Sequence, residues 1–150
     1  RTFYDQLLER TRALPGVRSA ALASMTPISG RLHGIASIAE DSFQETFGAG
    51  YNPVSPGYFA TLGVPLLAGR DFRREDEPVV APRRWWGKQD NARVCIMDQS
   101  LARQQFGTVN AVGRRFCHPG TDCSGDKGIE VIGVVKDMHY GEITHPTHRG

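Results

Sequence analysis

The chain has 150 residues, 39% of them hydrophobic, with 18 basic against 16 acidic side chains and a net charge of +2. That length suits one domain with its own core, and the near-balanced charge gives no electrostatic reason to expect nucleic acid. No run approaches the roughly 20 apolar residues that a membrane helix needs.

Residues 2–14 carry the pattern of an amphipathic helix. Thr2 is a cap candidate. Phe3, Leu7 and Leu14 share one face, with Tyr4, Leu8 and Thr11 beside them, while Glu9, Arg10 and Arg12 face water. Pro15-Gly16 stops the helix, and residues 17–25 follow as a strand of small residues. Helix, tight turn and strand form half of a βαβ unit whose first strand would precede Arg1. Residues 27–50 are weakly patterned, with short strands expected near 34–39 and 46–51.

Residues 51–72 read YNPVSPGYFATLGVPLLAGRDF. Ser55 and Pro56 are the residue types of an N-cap and a first helical position. Tyr58, Phe59 and Leu62 give one short apolar face. Gly63 is placed to end it in the left-handed conformation. Residues 64–67 read as a strand that turns at 68–70 into Asp71-Phe72.

Residues 73–90 are hydrophilic, with Glu75, Asp76 and Glu77 as a solvated run. They carry the adjacent pair Trp85-Trp86, flanked by Arg83, Arg84 and Lys88. Successive side chains of an extended segment point to opposite sides, so one tryptophan is expected to be exposed. Trp85, Trp86, Arg83 and Arg84 are therefore the candidate partner surface. The plainer reading is that the pair packs over its own loop.

Residues 92–97 form a strand with Cys95 buried. Asp98 caps a helix over 99–106 with Leu101, Ala102, Gln105 and Phe106 inward, and Gly107 ends it. Residues 112–116 lead into CHPGTDCSGDKG, where Cys117 and Cys123 either close a disulfide, worth about 2 kcal/mol, or remain two free thiols. Residues 128–138 are a buried, β-branched strand.

No cluster has the spacing of a catalytic site. His145 and His148, with Asp137, His139 and Glu142, fail as a metal set because Pro146 prevents a regular helix between the histidines. Cys117 and His118 are neighbours in sequence, whereas a Cys–His pair normally comes from distant segments. The serines lack the G-x-S-x-G frame, and GTDCSGDKG lacks the phosphate-loop spacing. The expectation is no enzyme activity, no cofactor and no metal.

Taken in order, FYDQLLERTRALPGVRSAAL, VSPGYFATLGVPLLAGRDF, ARVCIMDQSLARQQFG, AVGRRF and IEVIGVVKDM resemble the MacB-like periplasmic core domain of FtsX-like ABC transporter permeases, in particular the acidobacterial-type duplicated group. The resemblance runs from about Phe3 to Gly141. It implies an extracytoplasmic (periplasmic) domain of a cytoplasmic-membrane permease, between its first two membrane helices. It implies as partners the membrane-embedded remainder, a separate cytoplasmic ATP-binding subunit acting indirectly, and an envelope protein or exported substrate. ATP hydrolysis in that subunit would drive movement here.

On this reading residues 1–150 are an incomplete fragment of such a domain: an α/β part over 1–50, a β-rich part over 51–141 and a tail over 142–150. The fold class is α+β, a small mixed sheet with a packed N-terminal helix plus a β-rich subdomain carrying two short helices. Expected core residues are Phe3, Leu7, Leu14, Val17, Tyr58, Phe59, Leu62, Leu66, Val94, Ile96, Leu101, Phe106, Val131, Ile132 and Val134. Two alternatives stand beside the permease reading. One is a small secreted or periplasmic hydrolase using Cys117, His118 or His139. The other is a free-standing binding module.

Overall fold

The computed structural model describes residues 2–27, 33–39, 46–76, 93–116, 128–138 and 140. In chain order the elements are α1 (Thr2–Arg12), β1 (His33–Ala39), β2 (Thr46–Tyr51), α2 (Tyr58–Thr61), β3 (Leu66–Gly69), a 3-10 turn (Arg74–Asp76), β4 (Val94–Asp98), α3 (Gln99–Phe106), β5 (Arg115–Phe116) and β6 (Ile129–Val135). The class is α+β, as the sequence predicts. β1 and β2 form an antiparallel pair, and the other four strands form a mixed open sheet.

β6 reads IEVIGVV. A run that is apolar at nearly every position cannot have a wet face, so it belongs inside a sheet covered on both sides. Val131, Ile132, Val134 and Val135 are all buried. β4 pairs with β6 in parallel. On the opposite edge β3 and β5 pair antiparallel with β6, β3 at residues 133–135 and β5 at 129–130. A parallel pair needs a crossover. α3 lies within that connection and packs back on β4 and β6. Met97, Ala102, Ala111, Phe116, Val131 and Val134 form the core, with Ala68, Cys95, Leu101, Phe106 and Ile129 against it. Gln105 is buried with them, its amide atoms without a hydrogen-bond partner among the described residues.

α3 begins and ends as its sequence predicts. The Asp98 carboxylate accepts from the Leu101 amide at 2.7 Å. Gly107, at φ 67°, donates its amide to the Arg103 carbonyl at 2.9 Å. The end of α2 also matches. Gly63 is left-handed at φ 69° and donates to the Ala60 carbonyl, while Val64 donates to Phe59. These are the two bonds of a Schellman stop. They also delay the strand. Val64 has given its amide to the helix and Pro65 has none, so β3 starts at Leu66 rather than at residue 64.

Several expected core positions are corrected. Tyr58, Val131, Ile132 and Val134 are buried, and Val17, Phe59, Val94, Ile96, Leu101 and Phe106 are half-buried. Phe3, Leu7 and Leu14 are exposed, as are Leu62 and Leu66. Periodicity shows which face of a helix is apolar, not what lies upon it. α1 is tied to the rest of the fold by polar contacts that include two bonds from Arg12 to the Ala20 carbonyl and an Asp5–Arg74 pair. α2 has a single turn, so only Tyr58 is turned fully inward.

The strands meet most tightly at Gly69 and Gly133. Gly69 has φ 74°, and a Cβ there would strike the Ile132 carbonyl, the Gly133 Cα and a Val112 methyl. At Gly107 the same left-handed backbone has open space. The two glycines therefore separate crowding from backbone strain. Gly69→Ala should cost about 3 kcal/mol, overpacking added to left-handed strain. Gly107→Ala should cost about 1 kcal/mol. Urea unfolding midpoints measure both, and equal losses would show that crowding at Gly69 is unimportant.

Candidate functional site

The segment most sharply punctuated in sequence is joined to the N-terminal part by a short zipper. Ala23 bridges Val54. Ser24 donates its amide to the Pro53 carbonyl and Ser55 donates to Leu22, both at 2.9 Å. Side chains extend the pairing where backbone cannot. Asn52 Oδ1 accepts from the Met25 amide at 3.0 Å, and Asn52 Nδ2 donates to the Met25 carbonyl at 2.8 Å. At the other end the Leu22 amide donates to Ser55 Oγ at 2.8 Å. The strand expected over 17–25 is thus one bridge lengthened by two side chains. Ser55 is used here and is not the N-cap. Gly57, at φ 83°, takes that position, and the Tyr58 amide closes a turn on the Ser55 carbonyl.

Asp71 fixes this turn. Its Oδ2 accepts from the Gly57 amide at 3.0 Å and its Oδ1 from the Phe72 amide at 2.8 Å. Phe59 meets Tyr58 edge-on at 5.4 Å between ring centroids and stacks with Phe72 at 6.5 Å. Burial pushes the Tyr58 hydroxyl well above its usual pKa, so it stays protonated, 3.3 Å from the Tyr140 hydroxyl. Arg70 grips Asp76 with two bonds of 2.6 and 2.8 Å, and the Arg73 amide adds a third at 2.7 Å. The acidic run expected to be solvated therefore contains a paired carboxylate. Arg70 holds Asp76 below the usual range. The polar groups of this segment fix a chain path.

Two further carboxylates sit at the start of α3. Besides the Asp98 cap, Asp137 accepts from the Ser100 amide at 2.9 Å, from Ser100 Oγ at 2.8 Å and from Gln99 Nε2 at 3.2 Å. Burial, aided by Asp137, raises the Asp98 carboxyl. Burial works the same way on Asp137, but the bonds from Ser100 and Gln99 outweigh it and hold that group low. Both act as helix caps. Cys95 is partly buried on β4, and burial pushes its thiol up to about 12. Such a thiol is a poor nucleophile. Among the described residues no group of three or more His, Cys, Asp or Glu could hold a metal.

The residues singled out from sequence, Trp85, Trp86, Arg83 and Arg84, lie outside the described residues, as do Cys117, Cys123, His118 and His139. The described surface adds what the sequence reading missed, the exposed Leu62, Leu66 and Leu67 around α2 and β3. LGVPLL reads as an interior strand. Its exposure follows from the late start of β3, which among the described residues pairs only with β6.

The profile of the MacB-like periplasmic core domain matches residues 1–147. The chain belongs to that family. No curated protein matches it. Among solved structures, the periplasmic region of MacB from Actinobacillus actinomycetemcomitans is similar at a TM-score of 0.54 and 17% identity, over 97% of this chain and 59% of that one. The extracellular domain of the noncanonic ABC-type transporter YknZ from Gram-positive bacteria is similar at 0.52 and 19%, over 89% and 57%. The chain thus spans somewhat over half the length of these relatives. At such identities the structures show a shared fold. No described helix is long and apolar enough to cross a membrane.

The carboxylates of this MacB-like domain set its response to acid. Asp76 and Asp137 are depressed, so their contribution is complete above the unfolded carboxylate range, about 4, and is lost as pH falls through their lower folded values. Asp98 is raised, so its contribution is complete below that range and is lost as pH rises through its folded value. Asp76→Asn should flatten the fall in stability below about pH 4, and Asp98→Asn the change just above it. Urea midpoints across pH read both, and unchanged profiles would refute the assignment.

Proposed function

We propose that the chain is a non-catalytic extracytoplasmic domain of an ABC transporter permease. In this reading it couples ATP hydrolysis in a separate cytoplasmic subunit to movement or partner contact in the cell envelope. The observation that carries it is the family match over residues 1–147. The described geometry supports it. Asp71, Asp76, Asp98, Asp137, Asn52 and Ser55 all have their hydrogen bonds within the fold, holding turns and helix ends in place. Mutually satisfied polar groups, most of them half-buried here, favour one conformation of a segment, which suits a body that is moved as a unit.

The partner is an envelope protein or an exported substrate, met by Trp85 and Trp86 with Arg83 and Arg84 around them. In the oxidising compartment this reading implies, Cys117 and Cys123 form a disulfide. The domain binds no nucleotide, because ATP chemistry belongs to the cytoplasmic subunit.

Two measurements test this. In the reconstituted permease with its ATP-binding subunit, spin labels on two copies of the domain should change separation between nucleotide-free and ATP-trapped states. An unchanged separation would contradict the coupling. Trp85→Ala with Trp86→Ala should leave the urea midpoint within about 0.5 kcal/mol of the parent and weaken partner capture by about tenfold, or about 1.4 kcal/mol. An unfolded double variant would show the pair to be core.

A further inference from the structure

The chain leaving β6 is held by three successive contacts to three different parts of the fold. The Lys136 amide donates to the Pro65 carbonyl at 3.1 Å, just ahead of β3. The Asp137 carboxylate takes three bonds from Gln99 and Ser100 at the start of α3. The Tyr140 hydroxyl meets that of Tyr58, which opens α2 and is 4% exposed. Asp137 already has a competitor for its task, since Asp98 caps α3 from the position just before it. Its contacts do more than end a helix. They bring the tail of one strand to the head of another element.

Ordering a residue of a chain segment costs more free energy than one partly exposed hydrogen bond returns. Set against the cost of ordering several residues, neither the Lys136 bond nor the Tyr140 bond is enough alone, and the three Asp137 bonds gain from both. They persist only if they form together, each made easier by the other two.

We propose that Lys136, Asp137 and Tyr140 form a cooperative three-point anchor that locks the exit of the central strand to α2, β3 and α3. A displacement applied at Tyr140 then reaches all three elements at once instead of fraying the end of β6. The inference is independent of what the domain contacts and stands apart from the transport reading.

The test is a nitrogen-15 NMR comparison of the 150-residue chain with Asp137→Ala. A local cap predicts changes only at Gln99, Ser100, Leu101 and the mutated residue with its chain neighbours. The anchor predicts shifted or broadened amides also across Tyr58–Thr61, which Asp137 does not touch. Asp137→Asn, which keeps an oxygen for the Ser100 amide, should restore most of the pattern. Tyr140→Phe removes one hydroxyl and should perturb Ser100 and Leu101 from the far side. Changes confined to α3 in Asp137→Ala, or to α2 in Tyr140→Phe, would overturn the proposal.

Discussion

The fold depends on β6 having a partner on each edge and apolar cover on each face. Once Val131, Ile132, Val134 and Val135 are buried, every backbone amide and carbonyl of that strand must be paired within the sheet. β4 meets this need on one edge, and β3 with β5 share the other. Two strands can share an edge only if each is short, and β3 and β5 have four and two residues. Gly69 is the consequence. Where β3 turns away from β6, its backbone lies so close to Ile132 and Gly133 that no side chain fits between them.

The turns around α2 and β3 follow from that junction. The Arg70 amide makes a last bond to the Ile132 carbonyl of β6, and the grip of its side chain on Asp76 sets the direction in which the chain leaves. The next residue, Asp71, reaches back to Gly57 and fixes the start of α2. Tyr58 is thereby placed against Tyr140, which follows β6. Residues far apart in sequence thus return to the same strand. A domain built this way has its polar side chains engaged in shape. That is consistent with a family whose members are periplasmic domains of MacB-like type.

Elements with local signals were legible in the sequence. Asp98 before QSLARQQF and Gly107 after it are capping chemistry written in adjacent residues, and α3 starts and stops there. IEVIGVV could only be an interior strand. Positions settled by tertiary competition were not legible. Ser55 has the chemistry of an N-cap, but Leu22 claims its hydroxyl and Gly57 takes the place. Asp76 looked like one charge in a solvated run until Arg70 came within 2.6 Å. α1 has a clear apolar face, yet Phe3 is 68% exposed, because a helical period carries no information about what covers it. Of the candidate site, the family was legible from the order of its blocks. Trp85, Trp86 and the cysteine loop lie outside the described residues.

The central claim is that β6 organises the cooperative core, while α1, whose Phe3 and Leu7 are exposed and which is tied by Arg12 to Ala20 and by Asp5 to Arg74, lies outside that core. Native-state hydrogen exchange measures this directly. Amides of β6 and of its partners in β3 and β4 should exchange slowest, at the rate of global unfolding, while those of α1 exchange through local opening and far faster. Protection of α1 equal to that of β6 would contradict the account, because it would show one cooperative unit with a covered N-terminal helix.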